Sequence, residues 1–185
     1  MCIRDRSASD KAGTGELKID TPRLVLSHGP NHLTAKGDVE QNLNMQLAVD
    51  FPDIAKSVPD LRGSAQGQIK LTGKLDKPLV GVDLNVKAIK WQQDVQVEDV
   101  SLQGQISPLP LPSGELQLKV ANAKYQDYLI DKVLLNFDGE QQQHALTLDL
   151  ESNIASTKLA IKGALQDKPE LMWKGALERM SLTSE

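Results

Sequence analysis

An all-β fold is predicted by three features of the sequence. Aliphatic side chains recur at every second position along most of the chain, turn-forming residues separate the runs, and no window carries a helical stripe long enough for a covering helix. The clearest run places Leu43, Met45, Leu47, Val49 and Phe51 on one face, with Asn44, Gln46, Ala48 and Asp50 on the other. The pattern returns in Ile69, Leu71, Gly73 and Leu75, then in Val80, Val82, Leu84, Val86 and Ala88. Val100, Leu102, Gly104 and Ile106 follow, then Leu116, Leu118 and Val120. Val133, Leu135 and Phe137, then Leu146, Leu148 and Leu150, and last Leu159, Ile161 and Leu165 complete the set.

Turn chemistry is expected at His28-Gly29-Pro30-Asn31, Asp76-Lys77-Pro78, Pro112-Ser113-Gly114, Asp138-Gly139 and Asp167-Lys168-Pro169. Spacings of about 10 to 15 residues describe a meander of antiparallel strands, each of about 5 or 6 residues and roughly 17–20 Å. The one interruption is Pro52 to Pro59, which predicts a short helical turn between prolines. Glycines recur inside or beside strands, at Gly37, Gly67, Gly104 and Gly175, where they imply bends or close backbone approach. A loose repeat relates the segment from Gly73 to Pro78 to that from Gly163 to Pro169, with Trp91 and Trp173 following at unequal distances.

Composition narrows the function. Hydrophobic residues make up 39% of the 185 and aromatic residues only 3%, so a core must be built from Leu, Val, Ile and Ala. Net charge is −4 with the cations scattered singly, which argues against nucleic acid as a partner. The sole cysteine, Cys2, supports neither a disulfide framework nor a cysteine metal site. It falls in Met1-Cys2-Ile3-Arg4-Asp5-Arg6, which resembles the translated read-through of a sequencing adaptor. Residues 1–6 are therefore set apart as artefact, and residues 7–185 are read as one continuous segment of a larger protein.

No catalytic group is predicted. His28 and His32 have the four-residue spacing of helical zinc ligands, but Gly29 and Pro30 between them make a turn. Ser27, His28 and Asp20 lack the nucleophile elbow and oxyanion hole of a hydrolase. His144 reads as a solvated strand edge, and the carboxylate pairs Glu98–Asp99 and Asp149–Glu151 read as outer-face solubilisers. No metal or cofactor is expected.

A one-sided aliphatic sheet must bury that side, and this chain offers no helices to do so. A sandwich, a closed barrel or a sheet curled into a trough all satisfy the requirement, and only the trough leaves an apolar channel open to a ligand.

The stretch from Pro22-Arg23-Leu24-Val25-Leu26-Ser27-His28-Gly29-Pro30-Asn31 to Ala35-Lys36-Gly37 resembles the interior of the TamB family. The run Leu61-Arg62-Gly63-Ser64-Ala65-Gln66-Gly67-Gln68-Ile69-Lys70-Leu71-Thr72-Gly73-Lys74-Leu75 continues the resemblance, as do Pro78 and Ile89-Lys90-Trp91. That family, with its AsmA-like relatives and the similar bridge-like lipid transfer proteins, implies an elongated, curled, antiparallel-rich sheet: a trough, or taco, with an aliphatic interior groove. It further implies the periplasmic portion of a protein of Gram-negative bacteria anchored in the inner membrane, moving phospholipid between the two membranes. Outer-membrane protein assembly with the TamA barrel is also implied, TamA being met through regions outside this fragment.

On that reading the groove is lined by Leu43, Met45, Leu47, Val49, Ile69, Leu71, Leu84, Val86, Leu102, Leu118, Leu135, Leu148 and Ile161, with phospholipid acyl chains as the ligand. The competing expectation is a structural or chaperone-like module whose edge pairs with strands of outer-membrane proteins.

Overall fold

The computed structural model describes residues 19–40, 42–92, 94–109, 112–140, 143–166 and 172–184. Residues 1–6, and the turn expected at Asp167-Lys168-Pro169, lie outside the described residues. Eleven strands follow one another: β1 Ile19–His28, β2 Asn31–Val39, β3 Asn42–Phe51, β4 Leu61–Lys74, β5 Lys77–Trp91 and β6 Val95–Ser107. They continue as β7 Ser113–Tyr125, β8 Tyr128–Glu140, β9 Gln143–Ser152, β10 Ala155–Gln166 and β11 Met172–Ser184. The one other element among the described residues is a 3-10 turn, Ile54–Lys56, inside the proline-bounded segment that predicted it.

Every strand pairs antiparallel with its neighbours in sequence, giving one sheet in the order β1 to β11. The sheet is curled and unclosed, and no second layer covers it among the described residues. This selects the trough over the sandwich and the barrel.

Most strands run well beyond the expected five or six residues; β5 has 15 and β4 has 14. The excess has a local cause. The alternation changes phase within β5 to β8, and those breaks read as strand ends in the sequence. The strands instead run through them by means of irregularities stacked side by side. Ala88, Glu98, Asn122 and Asp131 fall between the paired residues of adjoining strands, and Gly63 occupies the matching break in β4. Ala88 and Asn122 have φ of 52° and 51°, so the chain kinks there. The kink puts two successive residues on the polar side and returns the next aliphatic residue to the apolar side. Ile89 therefore takes the position expected for Ala88: a Cβ built on Gly63 would lie 2.9 Å from Ile89 Cδ1.

Two expected turns are corrected similarly. Asp138 and Gly139 lie within β8, and Ser113 and Gly114 open β7. In β8 the flanking residues keep the strand phase, so a polar–glycine pair is carried through rather than ending it.

Two glycines interrupt the aliphatic rows on the apolar side. Gly67 and Gly104, with φ of 154° and 152°, bring their Cα atoms against the neighbouring strand. A Cβ at either would collide with the backbone around Leu84 or Leu116, respectively. Only glycine adopts this conformation at no steric cost.

The outer face is held by polar side chains bridging adjacent strands. Gln46 Nε2 donates to Gln68 Oε1 at 3.0 Å, Gln103 to Asp83 at 3.2 Å, Gln117 to Asn136 at 2.7 Å, and Asn136 to Thr147 at 3.2 Å. Lys132 lies 3.3 Å from Glu151 and 3.5 Å from Asp149, and Glu151 first, then Asp149, hold its ammonium above the usual lysine range. Lys158 of β10 lies 3.6 Å from Asp149, so the expected solubilising role of Asp149 and Glu151 includes ion pairing across β8 to β10.

One loop has packing of its own. Asn31, only 1% exposed, donates from Nδ2 to Asp53 O at 2.6 Å and to Ser57 Oγ at 2.7 Å. It accepts the Asp53 N–H at 3.1 Å. Asn31 shares the strand phase of Leu33, so the 52–60 loop folds over the apolar side at this strand end, burying Ile54.

Candidate functional site: an apolar concave face

Residues directly opposite one another in an antiparallel pair point to the same side of the sheet, so the register assigns the faces. One row crosses all eleven strands: Leu26, Leu33, Val49, Gly67, Leu84, Leu102, Leu118, Leu135, Leu148, Leu159 and Met180. A second also crosses all of them: Leu24, Ala35, Leu47, Ile69, Val82, Gly104, Leu116, Phe137, Leu146, Ile161 and Leu177. A third carries Phe51, Ala65, Val86, Val100, Val120, Val133 and Leu150 from β3 to β9. Met45 and Leu71 begin a fourth, and Leu43 stands one rung further out, opposite Gly73.

The thirteen residues expected to line a groove therefore share one face of one sheet. Twelve stand in the rows from the Met45 rung to the Val86 rung, and Leu43 lies one rung outside them. At about 4.8 Å per strand the apolar strip runs roughly 48 Å, and three rungs make it roughly 14 Å wide. An area on the order of 700 Å² exceeds the few hundred Å² that a monomer ordinarily leaves uncovered.

The strip is left half-buried by its own curvature. Among described hydrophobic residues only Val39 and Ile54 are buried, whereas the row members on β3 to β10 are partly accessible. On β11 they open further, with Leu177 at 55% and Met180 at 61%. Nothing in this arrangement polarises a bond or holds a proton in place. It removes methylene groups from water, at about 0.8 kcal/mol each.

The polar candidates take other places. Ser27 Oγ and His32 Nδ1 are 2.9 Å apart on the exposed outer face, while Asp20 lies at the far end of β1 opposite Asp38. His28 and His32 project to opposite faces of the β1–β2 hairpin, since they occupy successive pairs of its register. No group of three or more metal-ligating side chains converges among the described residues. Glu98 accepts a hydrogen bond from Asn122 Nδ2 at 2.6 Å.

His144 departs from expectation. It lies inside β9 on the apolar face, flanked in its row by Gly139 and Gly163, and its ring stacks on Phe137 at 5.6 Å with 23° between planes. A Cβ on Gly139 would sit 2.6 Å from His144 Cδ2, so the glycine makes room for the imidazole. Nε2 lies 2.8 Å from Pro112 O, and Nδ1 is buried without a partner. The preceding glutamines suggested solvent; the register with Gly163 decides otherwise.

Several members of the face were not singled out from sequence. Ala35 is too small to mark a run in β2, and the bulge between Ala160 and Ile161 pairs hides Leu177 and Met180 behind a three-residue spacing. Three aromatic residues also extend the face at one strand end. Trp91, Tyr125 and Tyr128, each about half exposed, join Val95 in a single cross-strand row.

These features define a class: an open β-trough, a long antiparallel sheet curled around an uncovered aliphatic interior. The profile of the TamB N-terminal domain family matches residues 7–185, and the chain belongs to that family. It is 26% identical over 166 residues to the translocation and assembly module subunit TamB of Haemophilus influenzae, covering 88% of this chain and 12% of that protein. An uncharacterized protein of Buchnera aphidicola is 18% identical over 164 residues, 89% of this chain and 17% of that one. The chain thus matches less than a fifth of the length of either relative. No solved structure matches it. No helix among the described residues is long and apolar enough to cross a membrane.

Proposed function

We propose that this chain is one segment of a periplasmic, lipid-conducting β-trough, continuous over residues 7–185, in a protein anchored in the inner membrane. The trough moves phospholipid between the inner and outer membranes. Acyl chains lie along the aliphatic rows, held by burial alone, and headgroups stay at the wetted mouth. The observation that carries this reading is the unbroken pair of rows from β1 to β11, over which no second layer packs among the described residues. A path for chains of varied length needs continuity without specific polar contacts, and these rows have that form. Family membership supports a role in translocation and assembly, and regions outside this chain would meet the TamA barrel.

The test is mass spectrometry of lipid retained after purification without detergent. Near-stoichiometric phospholipid is expected, and charged substitutions at Leu71, Leu102 and Leu148 should abolish it while the sheet stays folded. Unchanged lipid in those folded variants would overturn the groove.

A second reading rests on the sheet edges. Among the described residues β1 and β11 each pair on one side only, and an unfolded outer-membrane protein strand would be taken up by pairing with backbone of this kind. Peptide-dependent protection of the β11 amides from hydrogen exchange, without bound lipid, would favour this strand-capture role.

A further inference from the structure

We propose that β9 and β10 form a waist in the trough where phospholipids pass one abreast, with His144 on one margin and Ser152 and Thr157 on the other. This deepens, and rests on, the lipid reading above.

The register shows where the apolar face is wide and where it narrows. β5 presents Val80, Val82, Leu84, Val86, Ile89 and Trp91 to it, and β6 matches these positions with only Gly104 lacking a side chain. Such a set of rungs, two residues apart, spans roughly 34 Å along the strand. β8 still carries Phe137, Leu135, Val133, Ile130 and Tyr128. On β9 the residues facing the same way are His144, Leu146, Leu148, Leu150 and Ser152. Aliphatic cover there shrinks to the three leucines, a width of roughly 14 Å. On β10 only Leu159 and Ile161 stand between Thr157 and Gly163. Leu165 lies one rung beyond Gly163, parted from Ile161 by a position without a side chain. β11 then widens the strip again with Leu177, Met180 and Leu182.

Different chemistry closes each margin. At one, the row of Met45, Leu71, Val80 and Ile106 continues as Gly114, Gly139, His144, Gly163 and Gly175. The glycines offer an acyl chain no side chain to pack on. The His144 ring among them is held by stacking on Phe137 and by Pro112 O, 2.8 Å from Nε2.

At the other margin, the row of Ile89, Val97, Ala123 and Ile130 ends at Ser152. The Ser152 hydroxyl donates to Ala155 O at 2.7 Å and accepts the Ala155 N–H at 3.2 Å, which fixes it at the β9–β10 turn. One rung inward, Thr157 sets a hydroxyl between Leu150 and Leu182, in a row that is hydrocarbon from Phe51 to Leu150. A chain pressed onto that hydroxyl would strip it of water, so hydrocarbon keeps to the rungs between the margins.

A polymethylene chain is as wide as the aliphatic side chains it packs on, so a chain lying along the trough covers about one rung. From β5 to β8 several phospholipids therefore fit side by side. On β10 the Leu159 and Ile161 rungs accept the two chains of one phospholipid. They belong to the two rows that cross all eleven strands, so the path is continuous in chemistry and graded in capacity.

The test uses the intact protein in vesicles of a diacyl phospholipid, with a photo-crosslinking residue at one position at a time. Replacement of Leu118, Ile130 or Leu148 should give lipid adducts within about twofold of one another. Replacement of Ser152, beside Ile130 in its row, should give about fivefold less, the deficit of roughly one buried methylene group. Thr157→Val, with a methyl group for the hydroxyl, should raise the adducts at position 152 about threefold. Paired crosslinkers at Ile130 and Phe137 of β8 should yield protein carrying two lipids by intact mass. The same species from a pair at Leu146 and Leu150 of β9 should be about tenfold scarcer. Equal yields at positions 130 and 152, equal double capture on the two strands, or no response to Thr157→Val would overturn the waist and leave the trough intact. No adduct at any position would overturn the trough itself, and the waist with it.

Discussion

Gly67 in β4 stands opposite Leu84 in β5, and a Cβ built on Gly67 would lie 2.8 Å from Leu84 Cδ2 and collide with the Asp83 carbonyl. The backbone and side chain of β5 thus fill the space that a Cβ on Gly67 would need on the apolar face. Gly67→Val should destabilise the sheet by about 1–3 kcal/mol, through overpacking and an unfavourable φ. Gly81 is the control. It lies on the outer face, and its Cβ would meet only Lys70 Cβ at 3.9 Å, so Gly81→Ala should be neutral or slightly stabilising. Urea unfolding midpoints of the two variants check the contrast.

Asn31 carries the 52–60 loop. Asn31→Ala removes three hydrogen bonds and leaves the Asp53 carbonyl and N–H without their partner, at a cost of about 1–3 kcal/mol. The effect should be local. The Ser57 and Val58 amides, bonded to Ile54 O, should exchange faster in the variant, while amides in β6 to β8 keep their rates. Hydrogen exchange resolved by residue reads this directly.

The stacked irregularities are strained at Ala88, a residue with a side chain held at φ 52°. Ala88→Gly should stabilise the protein by several tenths to about 1 kcal/mol, because the left-handed conformation costs glycine little. Ala88→Val should destabilise it. Opposite signs at one position, measured by thermal or urea unfolding, distinguish a real kink from an ordinary strand position, where Val would be the better residue.

How much of this was legible follows from which signal each residue carries. Leu43 to Phe51 alternate without interruption, and the face of β3 reads straight from the sequence. The same rule misplaced Ala88, because period two assumes an unbroken ladder and a stacked bulge shifts the phase by one residue. His144 was misread for another reason: its surroundings are set by Phe137 and Gly163 on neighbouring strands, which local context does not reveal. The aromatic row is the extreme case. Trp91, Tyr125 and Tyr128 are far apart or ambiguous in the chain, and only the register places them side by side. That the sheet opens as a trough rather than closing as a sandwich came from resemblance, since the alternation is common to both.

The two sides of each strand should differ sharply in what they tolerate. Leu102→Asp places a charge among Leu84 and Leu118 and should remove retained lipid while costing roughly 1–3 kcal/mol in stability. Gln103→Glu, one residue along and on the outer face beside Asp83, should change lipid retention little. Equal losses in the two variants would point to general disruption of the sheet.

On the proposed function, lipid occupies the apolar face and no other. Site-specific photo-crosslinking at Leu118 and at Gln117, adjacent residues on opposite faces, tests it within one strand of the intact protein. Phospholipid adducts are expected from position 118 and a background signal from position 117. Adducts of equal yield from both positions, or a protein strand captured at 118 in place of lipid, would contradict it.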